Sequence, residues 1–419
     1  MKKMSYQNVK GTQDFMPEEQ IIRRKIQRVL EGTFTEYGCK PLETPILNYT
    51  SLMASKYAGG AEILNEKYTL TDRGERDLAL RYDLTIPFAK VIAINPTIGL
   101  PFKRYEIGKV FRDGPIKKGR LREFTQCDVD IVGVKTQMAE AELMMMAVDA
   151  FKKLGLDVVI QYNNRKLLVG MLEVFEVPED LMNKVILTID KLEKVGVDAI
   201  RGELQEIGVP SIEQIVSFLE AYSRAFFERY ATQNNNIKQG LAEIEELQTY
   251  LEYLGLNDQC LFNPLLARGL EIYTGTIYEM FLNDSSIKSS IGSGGRYDNA
   301  IGGLVGSGES IATVGISFGL DVISVAMQDL LEGSAELDYY IIPLKTEKES
   351  LKLARNLRQQ GYRVECELGG KKLGKALDKA NKQKVRSVVI VGQDEIERNQ
   401  YKVKDMDTGE ERTVGYQFN

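Results

Sequence analysis

Between residues 18 and 36 the hydrophobic positions recur every three to four residues. Ile21, Ile22, Ile26, Val29 and Leu30 fall on one face and Gly38 follows, which predicts an amphipathic helix. The pattern then shifts to strand-like runs at 41–46, 67–71 and 78–83, with a polar turn at 72–77 between the last two. Pro87 fits the first turn of a helix ending near Ile94. Two longer strand-like runs, 102–112 and 121–132, form a predicted hairpin, and a Met-rich helix covers 137–153. Residues 165–255 read as almost entirely helical, a module inserted between strand-rich segments. Strands resume at 269–281 and 288–292. A glycine-rich run then leads to a strand at 314–318 and a helix from about 320 to 331.

A different rhythm follows a predicted linker at 332–337, which opens Glu332-Gly333-Ser334-Ala335. Strands at 338–344, 363–368 and 385–391 alternate with helices at 347–360 and 371–383, and a hairpin closes the chain around Asp407-Thr408-Gly409. This βαβαβ order predicts a small α/β domain over 338–419, parallel at least in part. The reading divides the chain into strand-rich segments 1–164 and 256–331, the helical insertion 165–255, the linker and the tail domain.

Polar residues break the strand pattern in an ordered way. Residues two apart on a strand share a face. Arg81 and Asp83 therefore point together, as do Arg122, Gln126, Asp128 and Asp130. Arg112 ends one hairpin strand, just before a loop carrying Lys117, Lys118 and Arg120. Such a face suits a solvated binding site, with guanidinium groups for phosphates and carboxylates for an ammonium or a ring N–H. An exposed edge sheet with cross-strand ion pairs fits the same pattern. Gly292-Ser293-Gly294-Gly295-Arg296-Tyr297-Asp298 reads as a place where backbone approaches a ligand or as a tight turn.

Composition narrows the chemistry. The 419 residues include no histidine and no tryptophan. Imidazole bases, Ser-His-Asp and Cys-His nucleophile systems, and imidazole metal ligands are therefore excluded. Neither a P-loop nor a dinucleotide fingerprint occurs, so side chains must handle any phosphate. Four scattered cysteines without CxxC spacing and no apolar run of membrane length predict a cytoplasmic protein with no membrane segment. The net charge of −6 is unevenly spread. Residues 335–419 hold 17 Lys and Arg against 14 Asp and Glu, while 371–386 hold seven basic residues and one acid. That stretch is either a solvated helix face or a polyanion contact.

The ordered motifs resemble those of the histidyl-tRNA synthetases, class II aminoacyl-tRNA synthetases, along nearly the whole chain. Lys10-Gly11-Thr12-Gln13-Asp14 and Leu42-Glu43-Thr44-Pro45 look like the dimer-forming first motif. Phe111-Arg112 through Gly119-Arg120-Leu121-Arg122-Glu123-Phe124-Thr125-Gln126 resembles the second, and Val314-Gly315-Ile316-Ser317-Phe318-Gly319-Leu320 the third. Arg268-Gly269-Leu270-Glu271-Ile272-Tyr273-Thr274-Gly275 and Gly294-Gly295-Arg296-Tyr297-Asp298 resemble patterns specific to the histidine enzyme. Leu368-Gly369-Gly370-Lys371-Lys372-Leu373 resembles part of the family's anticodon-binding domain.

The resemblance implies an α+β catalytic domain around an antiparallel sheet, a helical insertion, and a C-terminal α/β anticodon-binding domain. It implies a homodimer that activates L-histidine with ATP and Mg²⁺ and charges tRNA(His). Asp83, Leu84, Thr85, Arg112, Gln126, Asp130, Arg268, Ile272, Tyr273 and Tyr297 would bind histidine. Arg112 and Arg120 would bind ATP, Arg268 and Arg112 would be catalytic, and Lys371, Lys372 and Lys375 would contact tRNA. The chain departs from the family pattern at Val322, where Arg usually follows the acidic residue, at Asp113-Gly114, where a Glu usually lies two after Arg112, and at Ile272, a frequent Tyr. The competing implication is a catalytically impaired relative: a histidine-sensing regulatory subunit of ATP phosphoribosyltransferase, or a tRNA- or histidine-binding sensor.

Overall fold

The computed structural model describes residues 6–55, 65–117, 119–267, 272–284, 287–306, 309–327 and 337–418. The chain forms two compact units, Met1–Met327 and Gln328–Asn419. The predicted linker at 332–337 lies outside the described residues except for Leu337.

The first unit contains strands β1 (Lys40–Pro41), β2 (Leu47–Tyr49), β3 (Thr69–Thr71), β4 (Asp77–Leu80), β5 (Phe102–Phe111), β6 (Glu123–Val132), β7 (Val158–Asn164), β8 (Cys260–Phe262), β9 (Thr276–Leu282), β10 (Gly292–Arg296) and β11 (Thr313–Gly319). Eight of them make one sheet in the order β1-β5-β6-β11-β10-β9-β7-β8. Its central pairings are antiparallel, and the short strands β1 and β8 add in parallel at the two edges. One face of the sheet is apolar, and two helices cover it. Helix Pro17–Glu36 buries Ile26, Leu30 and Phe34, spaced four apart, and Phe34 meets Phe318 of β11 at 5.5 Å between ring centroids. Helix Met138–Leu154 buries Met144, Met146 and Phe151, and Phe151 meets the same ring at 5.6 Å. Residues 165–253 are helical, and Asn235–Tyr253 packs on Arg165–Val174.

Two predicted strands fell in the wrong place. The run 41–46 is not a strand: β1 ends at Pro41 and β2 starts at Leu47, in a separate three-stranded sheet β2-β4-β3. The backbone between them is used otherwise, because the Thr44 N–H donates to Glu106 Oε1 at 2.9 Å and its carbonyl accepts from Arg81 at 2.6 Å. The predicted strand at 288–292 begins only at Gly292, and the glycine run is itself the strand β10. Glycine is a weak strand former, but here both faces are closely approached. A Cβ on Gly292 would lie 2.2 Å from Met280, one on Gly294 2.6 Å from Tyr278, and one on Gly295 2.8 Å from Tyr273.

The second unit has a five-stranded sheet, β12 (Tyr339–Pro343), β13 (Val364–Cys366), β14 (Ser387–Val391), β15 (Gln400–Asp405) and β16 (Glu411–Gly415), in the order β13-β12-β14-β15-β16. The first three strands run parallel and the hairpin adds antiparallel, as the alternation predicted. Helix Glu347–Gln359 buries Leu353, Ala354 and Leu357 against Ile341 and Val389 on one face. Helix Leu373–Lys382 buries Ala376 and Ala380 against Tyr340 and Val388 on the other. Among the described residues no helix is long and apolar enough to cross a membrane.

Candidate active site

Strand register assembles the polar face of the eight-stranded sheet. Asp130 of β6 stands opposite Arg104 of β5 on one side and Gly315 of β11 on the other, and Gly315 pairs with Gly295 of β10. One pleat further along, Asp128 lies between Glu106 and Ser317, and the next position places Gln126 between Gly108 and Gly319. The period of two puts all these groups above the same surface.

The glycines there are a packing requirement. A Cβ on Gly315 would lie 2.1 Å from Asp130 Oδ1, and one on Gly295 would press into the Tyr273 ring. With no Cβ at these two positions, Asp130 and Tyr273 can lie across two paired strands. Tyr297, buried just past the end of β10, donates its hydroxyl to Asp130. Asp130 Oδ2 is also paired with Arg104 Nη2 at 2.7 Å.

Arg104 is fully buried and organises the network. It lies 3.4 Å from Glu106, donates to the Leu84 carbonyl at 3.1 Å and stacks over the Phe88 ring at 4.3 Å. Glu106 is held in turn by Arg81 at 2.7 Å and by Thr44. The predicted solvated face is therefore a largely buried charge network, each ion pair made in a setting of weak screening. Desolvation dominates its protonation. Burial pushes the Asp130 carboxyl up against the opposing pull of Arg104. It pushes Asp83 up to about 6, although the backbone N–H of Ile86 and the Arg112 charge oppose it. It pushes Asp128 up to about 8, with Arg104 opposing and Asp130 reinforcing.

The remaining candidates surround this face. Asp83 accepts from the Ile86 N–H at 3.1 Å at the start of helix Thr85–Ile94. Leu84 is fully buried, and its carbonyl accepts from Arg104 and from the Phe88 N–H. Thr85 and Gln126 are half-buried, and Gln126 donates to Ser317 Oγ at 3.1 Å. Arg112 donates to the Tyr82 carbonyl at 2.9 Å and lies 5.3 Å from the Phe124 ring centroid. Arg120 is exposed in the loop that follows, where its N–H donates to the Lys117 carbonyl at 2.9 Å. Ile272 packs against two buried clusters, one containing Phe88 and Tyr297 and the other Met53 and Tyr82. Arg268 and Lys118 lie outside the described residues. Lys371, Lys372 and Lys375 are exposed at the start of the basic helix, whereas Lys379 is tied to Glu365 at 2.6 Å.

Three motif residues hold the scaffold. Arg122 pairs with Asp113 at 2.6 Å and donates to the Gly114 carbonyl, closing the base of the loop. Asp321 pairs with Arg23 at 2.7 Å and accepts from the Thr125 N–H at 2.8 Å. Val322, the departure in the third motif, packs beneath Gly119 of that loop, where a Cβ would lie 3.4 Å from its Cα. Arg104 and Glu106 were not anticipated as site residues. Their placement two apart, on one face of a strand-like run, was the available signal.

Comparison with known proteins agrees with this layout. The histidyl-tRNA synthetase family profile matches residues 11–323, and an anticodon binding domain profile matches 338–418. Histidine–tRNA ligase 2 of Shouchella clausii is 55% identical over 425 residues, covering 100% of both chains. Histidine–tRNA ligase 1 of Bacillus cereus is 54% identical, covering 98% of each. The crystal structure of a histidyl-tRNA synthetase from a Nostoc species matches at TM-score 0.85 and 28% identity, over 99% of this chain and 97% of that one. A Bacillus halodurans protein described as an ATP phosphoribosyltransferase regulatory subunit/histidyl-tRNA synthetase shares the fold, with TM-score 0.76 at 21% identity over 93% and 99% of the two chains. With motifs, sheet and tail all in the family's order and more than half of the residues shared with full-length relatives, the chain belongs to the histidyl-tRNA synthetase family.

Proposed function

We propose that this protein is a working histidine–tRNA ligase. A carboxylate oxygen of L-histidine attacks the α-phosphorus of ATP and pyrophosphate leaves, giving histidyl-adenylate. A ribose hydroxyl at the 3′ end of tRNA(His) then attacks the carbonyl carbon and AMP leaves. The observation that carries this reading is Asp130, fixed by Arg104 and the Tyr297 hydroxyl over Gly315, with Tyr273 over the neighbouring Gly295. A carboxylate held this way suits a ring N–H and spares the substrate the cost of ordering it.

In this reading Asp83 and Thr85 receive the α-ammonium, Gln126 stands beside it, and Ile272 walls the pocket. Arg112 holds the α-phosphate, Arg268 stabilises the charge that develops there, and Arg120 grips ATP from the loop. This is electrostatic catalysis and needs no imidazole base. Mg²⁺ would come with ATP and neutralise charge on its phosphates. Lys371, Lys372 and Lys375 meet the tRNA backbone near its anticodon.

The regulatory-subunit reading is disfavoured by full-length relatives named as ligases and by the anticodon-binding tail. We place the protein in the cytoplasm, where its four buried free cysteines stay reduced. It acts there as a homodimer built through the 42–45 segment. Ile46, Leu47 and Tyr49 next to that segment are exposed apolar residues that a second copy would cover. Light scattering should give twice the chain mass, and a monomer at working concentration would refute that part.

Histidine-dependent ATP–pyrophosphate exchange, followed by charging of tRNA(His), tests the main proposal. Exchange and charging are both expected, and a well-folded protein showing neither would end it. Arg268→Ala should abolish exchange while histidine binding persists; an unchanged exchange rate would remove Arg268 from the mechanism.

A further inference from the structure

We infer that Asp128 is a further binding residue for the α-ammonium of the substrate amino acid, acting together with Gln126. The inference rests on the reading that this sheet face binds histidine. It starts from what the other carboxylates already do. Asp130 is occupied by Arg104 and Tyr297, Glu106 by Arg81 and Thr44, and Asp83 accepts from the backbone N–H of Ile86. Asp128 differs. It is 4% exposed, its Oδ1 has no hydrogen-bond partner, and no cation lies within ion-pair distance of it among the described residues.

Gln126, two positions along the same face, also has a buried unpartnered acceptor, Oε1, while its amide N–H is spent on Ser317. Two unpartnered acceptors on one strand face call for a group with several donors. The ammonium of an amino acid has three N–H bonds and a positive charge.

The charges around Asp128 point the same way. Asp130 shares its strand, Arg104 and Glu106 face it from β5, Ser317 from β11, Asp83 from the turn before helix Thr85–Ile94, and Tyr297 from beyond β10. Arg104 is ion-paired with Asp130 and Glu106, and Arg81 with Glu106, so an ionised Asp128 has the Ser317 hydroxyl and a share of the Arg104 charge but no ion pair of its own. A cationic ligand removes that imbalance, and a neutral ring does not.

The arrangement also costs stability. Burial holds a proton on Asp128 up to about pH 8, whereas the unfolded chain releases it near the ordinary carboxylate value. Between those values the folded state binds more protons, so this group's contribution to stability falls as pH rises through that window and stays lost above it.

Asp128→Asn keeps the shape and removes the charge. In pyrophosphate exchange its KM for histidine should rise by about 10- to 100-fold, the cost of losing a charged hydrogen bond, with the KM for ATP within twofold of wild type. The ligand-free variant should also melt at a higher temperature than wild type at pH 8.5. An unchanged histidine KM in an active variant, or equal rises in both KM values, would overturn the inference and leave the ligase reading standing. Absence of exchange in the wild type would sink the ligase reading itself. Should the variant not fold, calorimetry of wild type binding histidine at pH 7.5, in two buffers of different ionisation enthalpy, reads the same claim. Proton release on binding is expected, and none would refute it.

Discussion

The polar face of the catalytic sheet and the basic helix of the tail both present charge, in opposite physical regimes. On the sheet, Arg104, Asp130 and Glu106 are buried and paired before any ligand arrives. On helix Leu373–Lys382, Lys375 and the Lys371-Lys372 pair just before it stand in solvent. Buried pairs are rigid, lightly screened and intolerant of change, because removing one member strands the other. Exposed lysines are interchangeable and weak one by one, and salt screens them. A small ligand needs the first kind of surface, and a polyanion read largely through its backbone needs the second.

The largest test of this contrast is Asp130→Asn. It weakens the hold on Arg104 and removes the proposed acceptor for the ring N–H, so kcat/KM for histidine should fall by about 10²- to 10³-fold. A drop below tenfold in exchange assays would show the face to be less finely balanced than described. Gly315→Ala comes next. Its new methyl would meet the Asp130 carboxylate at 2.1 Å, so the carboxylate must move. The KM for histidine should rise by about tenfold with the KM for ATP unchanged, since an ångström of misplacement is costly in such a site. Val322→Arg places a cation beneath the 112–120 loop and should lower the KM for ATP a few-fold; an unchanged value would show that other residues already replace the missing guanidinium. The smallest effect belongs to the tail. Replacing Lys371, Lys372 and Lys375 together by Ala should raise the KM for tRNA roughly fivefold in low salt and flatten its salt dependence. Exchange should be unaffected, and a loss of exchange would refute the division of labour.

Much of this was legible in the sequence. Alternation along 123–132 placed Gln126, Asp128 and Asp130 on one face, and the βαβαβ rhythm of the tail matches its sheet. Alternation does not reveal what stands opposite a face. Arg122 was grouped with the ligand-facing residues, yet it closes a loop onto Asp113. Arg104 and Glu106 were passed over because their importance depends on register with Asp130 and Asp128, a contact between two strands. Strand β10 was hidden by its glycines, whose value lies in Met280, Tyr278 and Tyr273 packing against them from other segments. The absence of histidine excluded imidazole chemistry, and the proposed site is built from Arg, carboxylates and Tyr.

The most direct test of the account compares L-histidine with an analogue whose five-membered ring carries no N–H, such as thienylalanine, in pyrophosphate exchange. A site that presents a buried carboxylate to a ring N–H rejects a ligand lacking it by about 10⁴-fold in kcat/KM, because one acceptor position of the carboxylate then loses its donor in a place water cannot reach. That rejection should shrink by at least a factor of ten in Asp130→Asn. Comparable rates for the two amino acids on the wild-type protein would contradict the account.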